Sequence, residues 1–269
     1  LVNSDLTRSI PYSSYSMDFD GTNDYIQLAS SSTAIVDWTQ PYSISLWVKY
    51  STPLSWDLMA TFGIETGSTS TTRYIMIGGN SGYLFTGVGD TDGGLADIHF
   101  NIGSGLDQGD WHHLVYVGDG SSGDFPSVYI DGVLEPHSGG TTALYNDSTY
   151  LNVIGTGSTA SGRYFPGKMS NVSIFNTALT EDQILTIYNG GVPNSLSSLS
   201  PVGWWSLAGD SYYNGTNWIC PDLGSGGNNG TSANMSGTEL VGDAPGGSAN
   251  GTATNMDIPT NLKGDAPNS

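Results

Sequence analysis

Positive charge is scarce in this chain of 269 residues: six Lys and Arg stand against 25 Asp and Glu, a formal net charge of −19. A phosphate backbone would be repelled along most of such a surface, so nucleic acid is excluded as a partner and anionic membranes are disfavoured. The same balance suits cation-rich water and divalent ions. Cysteine occurs once, at Cys220 beside Trp218 and Ile219. No internal disulfide can form, and the thiol reads as a small buried apolar group. No apolar run approaches the ~20 residues of a membrane-spanning helix. The chain begins with Leu and shows no basic-then-apolar leader, which predicts a processed or partial product.

Catalytic residue types are thin as well. Only four Glu are present, Glu65, Glu135, Glu181 and Glu239, each isolated in sequence. Glycoside hydrolysis ordinarily needs two carboxyl groups ~5 to 10 Å apart, and no strand carries such a pair at alternate positions. His112 and His113 are adjacent on a strand pattern, so they point to opposite faces and cannot share one metal. His99 and His137 are single. The sequence therefore predicts a protein that is not an enzyme.

What is abundant is Gly (38 residues), Ser, Thr and Asn, with 15 Tyr and 7 Trp, a mixture that favours strands and turns. Residues 16–28, SMDFDGTNDYIQL, read as a hairpin turning at Asp20 to Asn23. Residues 42–50, YSISLWVKY, alternate with Tyr42, Ile44, Leu46 and Val48 on one face. Further strand patterns start at Arg73, Gly82, Ala96, Trp111, Ser127, Thr149 and Gly167, separated by Gly, Asp and Asn clusters. Thr180-Glu181-Asp182-Gln183 is a capping box, so a short helix over Thr180 to Asn189 is expected, stopped by Gly190 and packed on one rim of the sandwich. Phe19, Ile44, Leu46, Val115, Val128, Ile130 and Ile174 are expected to face inward. The fold class is all-β, an antiparallel jelly-roll sandwich with one short helix.

The C-terminus nearly repeats itself. NGTSANM at 229–235 recurs as NGTATNM at 250–256, Gly242-Asp243-Ala244-Pro245 recurs as Gly264-Asp265-Ala266-Pro267, and Leu1-Val2-Asn3-Ser4-Asp5 echoes Leu240 to Asp243. Four segments result: an N-terminal extended segment 1–15, a domain 16–191, an aromatic strand segment 192–223, and a repeat-containing extended tail 224–269. So polar a tail buries too little apolar area to order itself, so it is expected to lie against folded protein. It either closes its own domain or clamps a neighbouring copy in a homo-oligomer or filament, with the N-terminal segment continuing the same path.

The segments SMDFDGTNDYIQL, PYSISLWVKY, GDWHHLVYV, SVYIDGVLE and GKMSNVSIFNTALTEDQILTIYNGG resemble, in this order, the signature segments of laminin-G-like, concanavalin-A-like jelly-roll domains. The likeness covers roughly residues 15–191, and the composition is similar to that of such domains in aquatic phage structural proteins and bacterial surface proteins. Phrases like Trp204-Trp205 and Asn229-Gly230-Thr231 usually open these domains, so the chain looks circularly permuted. The resemblance implies a non-catalytic extracellular, virion or cell-surface protein; with the tail, it is expected to be a structural protein that self-assembles through its termini, or alternatively a glycan-binding module acting as a monomer. It also implies a structural calcium ion near Asp20, Asp24 and Asn171.

Weaker candidates come from the residues alone. Asp90, Asp92 and Asp97 have the spacing of a partial calcium loop without its closing Glu, which a plain turn also explains. Trp56, Tyr83 and Tyr145 are candidate platforms for surface glycans, against a core reading for each. Asn-x-Ser/Thr occurs at Asn146, Asn171, Asn214, Asn229, Asn234 and Asn250, as glycosylation acceptors or as turn chemistry.

Overall fold

Period-two alternation is realised in the computed structural model, which describes residues 14–28, 35, 40–63, 74–80, 83–89, 95–101, 106, 108–120, 126–136, 138–139, 152–157 and 162–246. The strands are β1 (Ser16–Asp20), β2 (Tyr25–Leu28), β3 (Tyr42–Lys49), β4 (Ser55–Gly63), β5 (Tyr74–Asn80), β6 (Tyr83–Gly89), β7 (Leu95–Asn101), β8 (His112–Gly118) and β9 (Ser127–Ile130). They continue as β10 (Val133–Glu135), β11 (Ser138–Gly139), β12 (Val153–Ile154) and β13 (Pro166–Phe175), then helix α1 (Glu181–Tyr188). The remainder are β14 (Gly203–Trp205), β15 (Tyr212–Tyr213), β16 (Trp218–Cys220), β17 (Gly230–Ala233) and β18 (Leu240–Val241). One sheet runs β10-β9-β8-β3-β13-β1-β18, with β14 also on β13; the other runs β11-β7-β6-β5-β4-β12-β2-β17-β16-β15. Every ladder is antiparallel, as hairpin-rich connections require.

Between the sheets lie Met17, Phe19, Ile26, Leu28, Ile44, Leu46, Phe62, Ile77, Leu84 and Trp205, all buried. Val115 is not among them. It faces the other side of the smaller sheet, with Phe175, Leu179, Ile184, Ile187, Leu196 and Trp204, while Leu114 and Tyr116 enter the sandwich. The physical reason is that α1 covers the outer face of this sheet, so β8 is apolar on both sides and hydrophobicity does not mark the inner one. The helix thus lies over a sheet face, where a rim position was expected.

The capping box is present, with Gln183 N–H donating to Thr180 Oγ1 (3.3 Å) and Thr180 N–H to Gln183 Oε1 (2.9 Å). The helix stops one residue before the expected glycine. Asn189 takes the left-handed conformation (φ 46°), and Gly190 follows with φ 64°. Asn tolerates this region better than other non-glycine residues because its side chain bonds locally, here to Val192 O.

Composition alone treats the chain beyond Gly224 as unable to order itself, yet it builds both sheets. β17 pairs with β2 and β16, and β18 pairs with β1. Few large side chains are needed, because Met235 and Ala244 are buried and main-chain ladders provide the rest. The first repeat block is therefore used in cis. The second block and the Leu1 to Asp5 segment lie outside the described residues.

Candidate functional site

Four strands of the larger sheet end at one level, because Ser55 on β4 pairs with Asn80 on β5, Asn80 with Tyr83 on β6, and Tyr83 with Asn101 on β7. Between Ser55 and Asp57 the β4 register shifts, and the residue thrown out of the ladder is Trp56. Its φ is 62°, a left-handed conformation that costs a bulky residue roughly 1–2 kcal/mol. Strain of this kind persists only where the surroundings over-determine it, and it concentrates at ligand clamps. Asp57 holds the bulge by accepting from Ser55 N–H (2.7 Å).

The half-buried Trp56 indole packs on Phe85 at 5.4 Å between ring centroids. Leu58, Met76 and Phe85 form a small cluster with Trp56, separate from the sandwich core, so this ring lies on the outer face of the sheet. Phe85 crosses Gly78, its partner on β5. A Cβ there would meet Phe85 Cζ at 2.8 Å and the Asp57 carbonyl oxygen at 2.4 Å, so glycine is what lets the ring lie flat. Tyr83, two residues before Phe85, points to the same face and is 39% exposed. Two of the three aromatics proposed as glycan platforms therefore share one end of one face.

Arg163 completes the group, with its guanidinium carbon 5.7 Å from the Trp56 ring centroid. The segment carrying it is pinned to the sheet. Leu58 N–H and Thr156 Oγ1 both donate to Arg163 O, and Phe165 N–H donates to Gly155 O. Cation–π attraction accounts for the guanidinium lying over the ring. Neither Arg163 nor Phe85 was selected by sequence reasoning. The scarcity of basic residues was the available signal for Arg163.

The other candidates are dispersed. At the β1–β2 hairpin, Asp20 Oδ1 accepts from the backbone N–H of Thr22 (2.7 Å), Asn23 (3.1 Å) and Asp24 (3.4 Å), and Asp24 Oδ2 accepts from Asp20 N–H (3.1 Å). Asp24 is 3% exposed. Burial, together with the charges of Asp20, Glu239 and Asp18, raises its pKa to about 6 against the lowering effect of the Asp20 hydrogen bond. Asn171 does not join them. Asp20 pairs with Pro166, so Asn171 lies five positions further along β13, roughly 16 Å away. There it forms a bulge (φ 48°) where β13 exchanges β1 for β14, accepting the Trp204 indole N–H and donating to Ser170 Oγ. The three residues do not fit one calcium ion, and Asp20 with Asp24 are the pair that would hold one at the hairpin. No group of three His, Cys, Asp or Glu among the described residues could hold a metal.

Asp97 lies on β7 opposite Gly87; Asp90, Asp92, Tyr145, Asn146 and Asn250 are outside the described residues. Of the sequons, Asn171 is buried and out of reach of a transferase in the folded chain. Asn214 is exposed in an Asx turn, Asn229 accepts from Asp222 N–H, and Asn234 donates to Asn23 O. Cys220 is buried, and burial raises its thiol pKa to about 12, which leaves it inert.

The two histidines divide as their alternation requires. His112 Nδ1 meets Asp131 Oδ2 at 2.7 Å, whereas His113 Nε2 meets Ser45 Oγ at 2.8 Å. His113 is fully buried in a stack with Trp47 and Tyr188, and burial lowers its pKa to about 3 despite the Asp131 charge. Substrate has no path to a serine and histidine sealed between sheet and helix.

Known proteins bear on this arrangement. A family described as the concanavalin A-like lectin/glucanases superfamily matches residues 20–185. No curated protein sequence matches the chain. Among solved structures, a Bacteroides ovatus protein described as carbohydrate-binding superposes with a TM-score of 0.57 at 20% identity, over 87% of this chain and 61% of that protein. The chain thus spans less than two thirds of that protein's length. A heptameric pentraxin from Limulus polyphemus (17% identity, 65% of this chain, 81% of that one) has a TM-score of 0.45. Domain 4 of an extracellular arabinanase from Geobacillus stearothermophilus, solved with arabinotriose, has a TM-score of 0.44 (18% identity, 64% and 76%). With the match extending from the β1–β2 hairpin into α1 and both antiparallel sheets in place, the chain belongs to the laminin G type 3 family of the concanavalin A-like lectin/glucanases superfamily.

Proposed function

We propose that the protein is a non-catalytic carbohydrate-binding module of an extracellular or surface-borne protein, and that glycans bind at Trp56, Tyr83 and Arg163. The observation that carries this is the strained, half-buried Trp56, held outward by a bulge and backed by Phe85, with a guanidinium across its ring. Sugars present an apolar C–H face and a rim of hydroxyls. An indole accepts the first and a guanidinium donates to the second. The lectin description of the family and the described carbohydrate binding of the Bacteroides ovatus protein support the same reading. Hydrolysis would need two carboxylates at the sugar, and among the described residues the Asp57 carboxylate next to Trp56 accepts from Ser55 N–H. Self-assembly through the tail has less support, because the first repeat block is already spent on its own sheets.

The test is a glycan array with purified chain, followed by calorimetry on the best ligand. Trp56→Asn should abolish detectable binding, a loss of at least tenfold. Asn tolerates the left-handed backbone, so relief of strain offsets part of the lost packing and Tm should stay within about 3 °C of the parent. Release of reducing ends from a bound polysaccharide, or undiminished binding by the variant, would overturn the proposal.

A further inference from the structure

The last strand among the described residues, β18, lies beside β1 at the edge of the smaller sheet. Asp18 N–H donates to Glu239 O (2.8 Å), Leu240 and Val241 pair with Met17 and Ser16, and Ser16 Oγ donates to Asp243 O (2.5 Å). The Asp243 carboxylate then receives the Trp111 indole N–H (3.0 Å) and Lys49 Nζ (3.1 Å), with Lys168 Nζ at 3.6 Å. Lys49 and Lys168 are two of only six basic residues in the chain, and both converge on this one carboxylate. Leu240 packs against the core, and Ala244 is buried.

Twenty-two positions later the chain repeats what this site touches. Leu262, Gly264, Asp265, Ala266 and Pro267 stand for Leu240, Gly242, Asp243, Ala244 and Pro245, while Lys263 replaces Val241 and Asn261 replaces Glu239. The two differences fall where the site does not read the side chain. Val241 alternates with the core-facing Leu240, and Glu239 contributes its carbonyl to β1 while its carboxylate bonds to Ser236 and Thr238. Both replacements also reduce negative charge beside Asp18, Asp20 and Asp24, where the Glu239 charge bears on Asp24. The position of β17 is different, because Ser232 Oγ accepts the Trp218 N–H (2.8 Å) and Ala253 stands in its place in the second block. That strand should stay with the first block.

We infer that the Lys49, Lys168 and Trp111 site recognises a Leu-x-Gly-Asp-Ala-Pro segment, and that Leu262 to Pro267 of the same chain is a second ligand for it, exchanging with Leu240 to Pro245. An intramolecular exchange is favoured because a tethered segment acts at an effective concentration in the millimolar range, whereas two copies of a chain of charge −19 repel.

Disulfide trapping in the full chain tests it. Directly opposed residues of an antiparallel pair lie within disulfide reach. Ser16→Cys with Val241→Cys should close under mild oxidation and reports the first ligand. Ser16→Cys with Lys263→Cys should give a cross-linked monomer as well, its yield rising several-fold when Asp243→Asn weakens the first ligand. No closure at 263 under conditions that close 241 would overturn the inference, and so would cross-links that form only between chains. Should Ser16→Cys fail to fold, melting temperatures decide without it. Asp265→Asn should be nearly silent alone and should lower Tm further in the Asp243→Asn background; additivity of the two would overturn the exchange.

Discussion

At the scale of single residues, Asp24 and Asp243 make opposite contributions to stability. Asp24 titrates near 6 in the fold against 3.8 for an ordinary aspartate, so between these values the folded chain holds a proton that the unfolded chain has lost. Stability from this group therefore rises as pH falls from about 6 toward 4, and at neutral pH the buried charge is a cost. Burial of Asp243 works to raise its pKa, but the Trp111 and Lys49 hydrogen bonds and the two lysine charges outweigh burial and hold it below the ordinary value. Its contribution is present above 3.8 and lost as pH falls through the depressed pKa. Tm should accordingly rise from pH 7 to about 5 and fall below about 4. Asp24→Asn keeps an acceptor for Asp20 N–H and removes the charge. It should gain on the order of 1 kcal/mol at pH 7 after solvent screening, or about 2–4 °C, and flatten the rise. Excess calcium distinguishes proton from ion: a cation held at the hairpin would keep Asp24 ionised and abolish the rise, with chelator restoring it.

The residue scale is also where sequence reading reached least far. Trp56 and Tyr83 could be named as exposed aromatics, but their convergence depends on a bulge and on the Ser55–Asn80–Tyr83 register, which no local pattern encodes. Arg163 reaches Trp56 through two backbone bonds from Leu58 and Thr156 to its carbonyl, contacts distant in sequence. Asn171 shows the converse. The family resemblance implied a ligand at this position, whereas the chain uses it to turn β13 from one partner strand to another.

At the scale of elements, strands and helix were legible because their signals are local. A period of two named β3, β5, β6, β8, β9 and β13, and Thr180 with Gln183 named the helix start. Which face turned inward was legible only where one side was polar. β8 carries Leu114 and Tyr116 on one side and His113 and Val115 on the other, all buried, and nothing in the strand says which side meets the helix. The helix makes a test of that outer layer. Thr180→Ala removes a capping hydrogen bond and should cost about 1 kcal/mol, or about 2–4 °C. Ile184→Ala empties a fully buried site between α1 and the sheet and should cost about 2–5 kcal/mol. Comparable small losses from both would mean that α1 is not integral to the fold, and thermal melts resolve the two cases.

At the scale of the whole molecule, chain order and spatial order disagree. Strands from the C-terminal third stand beside the β1–β2 hairpin, so the two sheets are complete only when residues 203–241 return to the start of the domain. Removing residues 224–269 would strip β17 from β2 and β18 from β1, uncovering Ile26, Leu28 and Met17 and deleting the buried Met235. It would also leave Lys49 and Lys168 without the Asp243 carboxylate. Loss of two strands' ladders and of several buried side chains exceeds the ~5–15 kcal/mol by which domains of this kind are stable. The shortened chain should therefore be unfolded or aggregated, with the near-ultraviolet signal of Trp205 and Trp218 lost. Removing only residues 250–269 leaves β17, β18 and Asp243 in place, so that chain should fold and, on the proposed function, bind glycan as the full chain does. A folded, monomeric product of the longer deletion would show that cis closure by the tail is dispensable, and unfolding of the shorter one would move the essential contacts into the second repeat block.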